Sequence, residues 1–269
     1  MMEDAESRDG VLALVEARYS RAAQALIRTK NMFEIGSYGM FNYPVATPFE
    51  DPNFNQTLQE YALGQRPDFP DLQQSVALRI WSILEHASLD IATIFVDGQQ
   101  EISEFEQVKA PTGELLEFMK LSKYEQAEAI VEKVLASQKR LSGGDRLQCV
   151  LCSLRLRPRS NSITNAALDE LHALRNCIAH TEGVLDKHLI RQAPWFGSSP
   201  GQPIALTILD IQKYIFSGVF CLLASVDSIQ KWAGAIRPRT GPLMEDHLNA
   251  AKQFASTSTR GIWEARRSS

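Results

Sequence analysis

Residues 168–186, LDELHALRNCIAHTEGVLD, combine an apolar helical repeat with side chains that could do chemistry. Leucine and isoleucine recur at positions 168, 171, 174 and 178, the spacing of a buried helical stripe. His172, Asn176 and His180 are four residues apart in series and therefore share one face of that helix, with Arg175 next to it. Gly183 is a typical C-terminal stop. The pattern predicts that a guanidinium, an amide and an imidazole converge near one helix end.

If the substrate is RNA, these side chains suit the attack of a ribose 2′-hydroxyl on its own 3′-phosphodiester. Imidazole exchanges protons well at neutral pH because its ordinary pKa is roughly 6.5, so His180 is the candidate proton-transfer group. Arg175 carries a planar, permanent charge that would stabilise the extra negative charge on the phosphate. Asn176 would hold the scissile phosphate or fix the His180 tautomer. The alternative is structural: Arg175 caps a buried polar network, and Asn176 and His180 satisfy helix-end groups.

Residues 175–180, RNCIAH, resemble the signature of the HEPN superfamily (higher eukaryotes and prokaryotes nucleotide-binding), which is an Arg, a polar residue, three variable residues and a His. The resemblance covers about residues 72–236 and points to the ribonuclease branch. It implies an all-α helical bundle that forms a homodimer, with two copies of the motif facing each other, and metal-independent cleavage of RNA in bacterial defence or toxin–antitoxin systems. A symmetric dimer would provide two imidazoles, one as acid and one as base.

The resemblance also sets expectations about partners. RNA is the expected substrate, an antitoxin or other regulatory protein is an expected partner, and no cofactor or metal is required. His172 adds a second imidazole on the motif face, where it could assist catalysis or be coincidental.

Composition indicates a folded protein without a general affinity for nucleic acid. A chain of 269 residues with 44% apolar residues can bury a substantial core in one large or two small domains. The net charge of -4 and the pI near 5.8 require that any RNA contact come from a local basic patch. The N-terminal residues MMEDAESRDG do not resemble a secretory signal, and the apolar run at 214–226 is too short for a bilayer span. We expect a cytoplasmic protein with no membrane partner.

The most basic segment, residues 139–159, leads directly into the motif helix. Contacts to a nucleic-acid backbone need spaced cations, so this segment is the candidate phosphate-contacting surface. The candidate substrate-binding residues are His172, Arg146, Arg155, Arg157 and Arg159. The alternative is a solvated flank whose arginines form surface ion pairs.

Cys149 and Cys152 form a CxxC motif within this segment. A zinc site would need a second pair of Cys or His at suitable spacing, and a redox site would need a strand-to-helix turn. The sequence offers neither, so we predict two buried thiols on one helix, in a protein whose cysteines stay reduced.

The chain divides into three predicted regions. Residues 1–70 contain an amphipathic helix over 11–33 and then an ordered, aromatic and proline-rich loop over 35–70, which could cover the active site. Residues 71–236 form the HEPN-like bundle, and residues 237–269 form a polar tail that is irregular from Pro238, has a short helix at 246–254 and is mobile at 256–269.

Three helices and a hairpin are predicted within the bundle region. Helical periodicity spans 71–96, and Ser122 with Glu125 forms a capping box at the start of a helix that ends near Leu135. Residues 211–232 are apolar almost all round, which predicts a central helix or a subunit interface. Short extended runs between 188 and 208 predict a small two-stranded hairpin.

Three functions remain open from the sequence. The first is a dimeric, metal-independent endoribonuclease. The second is a HEPN-like module that binds RNA or nucleotides, or dimerises, without cutting. The third is a helical regulatory subunit of a larger complex, which would use the apolar helix at 211–232 and the aromatic loop as partner surfaces.

Overall fold

The computed structural model describes residues 2–42, 70–99, 117–138, 140–181, 183–234 and 240–268, with the backbone only at 2–7, 32–42, 70 and 71. The described residues form an all-α bundle without β-strands, which confirms the predicted fold class. The helices are α1 (Met2–Asn42), α2 (Pro70–Asp97), α3 (Lys123–Ser137), α4 (Gly143–Ser153), α5 (Ser162–Thr181), α6 (Lys187–Gln192), the 3-10 turn Pro194–Phe196, α7 (Ile208–Trp232), α8 (Gly241–Thr257) and α9 (Thr259–Ser268).

The central helix of the bundle is α7, as the sequence predicts. It packs against α1, α2, α5 and α8, and nearly every residue from Asp210 to Gln230 is buried. A capping box starts it: the Asp210 amide donates to Thr207 Oγ1 over 3.2 Å, and the Thr207 amide donates to Asp210 Oδ2 over 2.9 Å. The whole helix is long and apolar enough to cross a membrane, and 78% of its apolar window is buried inside the bundle.

The N-terminal helix α1 packs on α2 and α7 through a buried stripe of Val11, Val15, Ala22 and Leu26. The helix was expected to end near Phe33, and this boundary is wrong because α1 continues to Asn42. Glycine inside a helix costs only about 1 kcal/mol relative to alanine, so Gly36 and Gly39 do not stop it. Residues 43–69 of the predicted aromatic loop lie outside the described residues.

Two further predicted helices are confirmed. The predicted helix at 71–96 is α2, which begins at Pro70 and ends at Asp97. At α3, Ser122 Oγ accepts from the Glu125 amide over 3.3 Å, and Glu125 Oε2 accepts from the Ser122 amide over 2.8 Å. The predicted capping box is therefore present.

The predicted hairpin between 188 and 208 is wrong. Residues 187–192 are helix α6, because the Asp186 carboxylate accepts the Leu189 amide over 2.6 Å as an N-cap and Leu189 is fully buried. The extended backbone here is limited to one antiparallel bridge between Val184 and Pro203, among the residues the structure describes.

The prediction of an irregular C-terminal tail is also wrong, since residues 241–257 and 259–268 are helices α8 and α9. The short helix predicted at 246–254 lies inside α8. This helix buries Met244, Leu248 and Ala251 against α7, which is the three- and four-residue spacing of a helical stripe. A short stripe in a polar segment is easily read as irregular, because the surrounding polar residues dominate its composition.

Candidate functional site

Helix α5 carries the RNCIAH motif, and its buried and polar faces separate as predicted. Leu168, Leu171, Leu174 and Ile178 are buried in the core. Arg175 and Asn176 are half-buried beside that stripe, and His180 is exposed in the last turn. The core therefore fixes the helix while the polar motif side chains stay at the surface.

A chain of hydrogen bonds joins three of these polar side chains. Arg175 Nη1 donates to Asn176 Oδ1 over 3.0 Å, and Asn176 Nδ2 lies 3.4 Å from His172 Nε2. Because arginine has no acceptor atom, the Asn176 oxygen must face Arg175 and its NH2 group must face the imidazole. His172 Nε2 is therefore the acceptor and is unprotonated. Asn176 thus fixes the tautomer of His172. It forms no hydrogen bond to His180, in contrast to the prediction that it could fix the His180 tautomer.

His172 is held in a partly apolar environment at the centre of this face. Its ring lies 4.7 Å from the Trp81 ring, between centroids. Burial lowers the pKa of His172, the nearby Arg146 and Arg175 lower it further, and Glu85 and Asp169 partly oppose them. His172 therefore favours its neutral form, in agreement with the acceptor role of Nε2.

The end of α5 is fixed by the residues that follow His180. Thr181 Oγ1 donates to the Cys177 carbonyl over 2.7 Å, which secures the last turn. Gly183 has a left-handed φ of 83°, and its carbonyl accepts from Gln74 Nε2 over 3.0 Å. His180 has no hydrogen bond or ion pair with any residue that the structure describes. Its imidazole is therefore exposed beside a firmly anchored turn.

An open groove borders the motif face, and we refer to it as the α5–α6 groove. It has a volume of about 560 Å3. Its polar and aromatic lining comprises Arg140, Ser142, Asp169, Glu170, His172, Asn176, His188, Gln192, Trp195 and Arg260. The groove therefore contains two of the predicted site residues, His172 and Asn176, whereas Arg175 and His180 are not part of its lining.

His188 and Arg260 were not predicted as site residues, whereas Arg140 belongs to the predicted basic segment but was not among its named candidate substrate-binding residues. Arg140 and His188 are exposed. Arg260 donates to Glu264 over 2.8 Å, and its guanidinium lies 5.0 Å from the Trp195 ring centroid. Arg260 and Trp195 are 65 residues apart, so only the fold brings them together, and no local sequence signal points to the pair.

Two arginines of the basic segment form ion pairs with carboxylates of other helices. Arg146 pairs with Glu85 on α2 over 3.3 Å and is about one quarter exposed. Arg159 pairs with Glu245 on α8, whereas Arg155 and Arg157 are exposed and have no ion pair within the described residues. The predicted alternative of surface ion pairs thus applies to Arg146 and Arg159, and Arg146 also lies close enough to His172 to affect its pKa.

A buried ionic network behind the groove was missed in the sequence. Lys213 Nζ donates to Glu170 Oε1 over 2.7 Å and to Asp210 Oδ1 over 3.3 Å, and all three side chains are at most 2% exposed. Tyr214 also donates to Glu170 Oε1, while Oε2 of Glu170 has no partner within the described residues. Burial raises the pKa of Glu170, which the charge of Lys213 opposes. The sequence contains one indication of this network, because Glu170 is a carboxylate that lies among the apolar residues between Ala167 and Leu174.

The cysteines are all free thiols, and Cys149 and Cys221 are buried. The expectation that Cys152 is buried is wrong, because it lies on the exposed side of α4. Burial raises the pKa of Cys149 and of Cys221, the latter to about 12, so these two thiols favour the unreactive protonated form. Within the described residues, no group of three or more His, Cys, Asp or Glu side chains is arranged to hold a metal ion.

No family model, curated protein or solved structure matches this chain. The comparisons neither support nor oppose the resemblance to the HEPN superfamily, which remains a prediction from the motif.

Proposed function

We propose that this protein is a metal-independent endoribonuclease of the HEPN type. The observation that carries the proposal is the placement of the motif on α5. Its apolar members Cys177 and Ile178 are buried, whereas Arg175 is only half-buried and His180 is exposed. A guanidinium and an imidazole therefore remain accessible to a phosphodiester on a helix that the core holds in place.

The proposed reaction forms a bond between the ribose O2′ and the phosphorus and breaks the bond between phosphorus and O5′. His180 takes the proton from the 2′-hydroxyl or gives one to the departing O5′. Arg175 stabilises the additional negative charge on the phosphate, and Asn176 holds the Arg175 guanidinium in place. The products are a 2′,3′-cyclic phosphate and a 5′-hydroxyl.

A homodimer would complete this site. One chain contributes one motif and thus one free motif imidazole, but the reaction uses both a base and an acid. A second copy that faces the first across a two-fold axis brings a second His180. We place this activity in the bacterial cytoplasm, in a defence or toxin–antitoxin system, with an antitoxin or other regulatory protein as the restraint on cleavage.

A non-cutting RNA- or nucleotide-binding module is the second candidate. The hydrogen bonds of the motif favour this candidate. Arg175 is connected through Asn176 to His172, and His180 makes no hydrogen bond to Arg175 or His172. In this case the polar face of α5 binds a phosphate, and no proton transfer occurs there.

The decisive experiment incubates purified protein with mixed cellular RNA in EDTA. Wild type is expected to produce fragments with 2′,3′-cyclic phosphate ends. His180→Ala should lower the rate by roughly 100- to 10,000-fold, the usual contribution of a proton-transfer group. Arg175→Ala should lower it by roughly 100- to 1,000-fold, the usual contribution of a charge-stabilising donor.

Matched controls make the same changes on α2, at exposed positions outside the motif and outside the groove lining: His86→Ala and Arg79→Ala. Both should cut like wild type, and circular dichroism should show that every variant is folded. Cleavage that survives His180→Ala would overturn the assignment of His180. Intact RNA together with RNA binding that requires Arg175 would support the non-cutting module.

A further inference from the structure

We propose that the α5–α6 groove binds a backbone phosphate of RNA next to the motif, through Arg140 and His188. Neither residue belongs to the RNCIAH motif. Arg140 lies in the turn before α4, and His188 lies in α6, so two separate elements bring a guanidinium and an imidazole to the wall of one groove. Both types of side chain donate hydrogen bonds to phosphate oxygens.

Both side chains are available for a ligand. They are exposed, and neither makes a hydrogen bond or ion pair with a described residue. Arg260, the other cation of the groove, is already engaged by Glu264 and by the Trp195 ring. Arg140 is therefore the guanidinium of the groove whose charge is not yet paired within the described part of the chain.

The groove is continuous with the motif face. Asn176 lines it, and His180 lies one turn further along the same face of α5, a rise of about 6 Å along the helix axis. An RNA strand that lies along this face would place one phosphate at His180 and a neighbouring part of its backbone in the groove. The proposed path of the RNA strand therefore runs along the surface from the end of α5 toward Arg140.

Two carboxylates in the groove lining act against an anion. Glu170 is buried and paired with Lys213, which also pairs with Asp210, so its charge is partly offset. Asp169 is exposed, and its Oδ1 accepts from Ser142 Oγ over 2.8 Å. The charge of Asp169 therefore weakens phosphate binding in the groove. Replacing it with a neutral residue should strengthen binding.

The choice of RNA as the ligand rests on the proposed function, but the test measures binding and not cleavage. The probe is a fluorescent single-stranded 2′-O-methyl RNA, which lacks the attacking hydroxyl, bound to the full-length protein and followed by anisotropy at several salt concentrations. Arg140→Ala should weaken binding roughly tenfold, as expected for a lost charge-assisted hydrogen bond. It should also reduce the slope of log K against log salt by about 0.7, the value for one phosphate contact on a single strand.

His188→Ala should also weaken binding, by a smaller factor, and Asp169→Asn should strengthen it. Arg79→Ala and His86→Ala repeat the first two changes at exposed positions on α2 and should bind like wild type. Wild-type affinity and slope in Arg140→Ala, or no binding by the wild-type protein, would overturn the proposal. If RNA cleavage requires His180 but Arg140→Ala binds RNA like wild type, the nuclease proposal is supported. The groove proposal is then wrong, because the groove does not contribute to RNA binding.

Discussion

At the scale of single residues, Asn176 determines the arrangement of the motif face. Its oxygen accepts from Arg175, and its amide group faces His172, so one side chain fixes both neighbours. The spacing of these residues in the sequence predicted their shared face but not this pairing. Hydrogen-bond partners depend on side-chain rotamers and on Trp81, which packs against His172 from another helix.

The neutral state of the half-buried His172 has a consequence for stability. Because folding lowers the pKa of His172, the unfolded chain binds a proton more readily than the folded chain when the pH falls below the ordinary value of roughly 6.5. His172 therefore makes the folded state less stable as the pH falls from about 7 to about 5. His172→Gln should reduce this loss.

The measurement is the free energy of unfolding in urea at several pH values within that interval. His86→Gln makes the same change at an exposed position and serves as the control. The His172 contribution is the difference between the wild-type and His172→Gln pH dependences. Identical pH dependences for these two proteins would contradict the assignment of a half-buried, neutral His172.

At the scale of elements, the end of α5 depends on a contact with α2. The buried carbonyl of Gly183 accepts from Gln74, and a Cβ at position 183 would lie 1.9 Å from Gln74 Oε1. Gly201 has the same φ of 83° but no atom within 4 Å of the corresponding position. The two glycines thus share a backbone conformation and differ in the space around them.

This pair gives a controlled prediction. Gly201→Ala should cost roughly 1 to 2 kcal/mol of stability, from the left-handed backbone alone. Gly183→Ala should cost roughly 1 to 3 kcal/mol more, because Gln74 must move and the buried Gly183 carbonyl loses one of its two hydrogen bonds, keeping that from the Ile204 amide. Thermal or urea unfolding of both variants measures the difference. Equal losses would show that the Gln74 contact does not stabilise the end of the motif helix.

Sequence patterns predicted the long elements and failed at the short ones. The stripes of α2, α5 and α7 extend over several turns, so the spacing of their apolar residues alone identifies them as helices. Helix α6 has only six residues and depends on the Asp186 cap and the burial of Leu189. Such a helix is stabilised by tertiary packing, which a local pattern does not record.

At the scale of the whole molecule, the C-terminal helices are part of the bundle. Helix α8 packs against both α7 and α5, and α9 contacts the 3-10 turn that carries Trp195. The wall of the α5–α6 groove therefore includes Arg260 from the last described helix. Neither this wall nor the ionic network of Glu170 and Lys213 could be predicted locally, because each joins residues far apart in the chain.

Two leucines of α8 test its place in the core. Leu248 is 2% exposed and Leu243 is 48% exposed. Leu248→Ala should destabilise the protein by roughly 2 to 5 kcal/mol, the usual cost of a buried leucine, whereas Leu243→Ala should change stability by less than about 0.5 kcal/mol. Urea unfolding at neutral pH compares them. Small effects from both would indicate that α8 does not contribute to the cooperative core.

The partners of Glu170 also have a consequence for synthesis on the ribosome. Lys213 and Tyr214 follow Glu170 by 43 and 44 residues, so translation completes α5 well before it makes the groups that neutralise this carboxylate. Both groups lie on α7, which packs against α5, so the ionic network forms only after α7 has been made. Under the proposed function, a nascent chain therefore contains every motif residue before it contains the core that positions them.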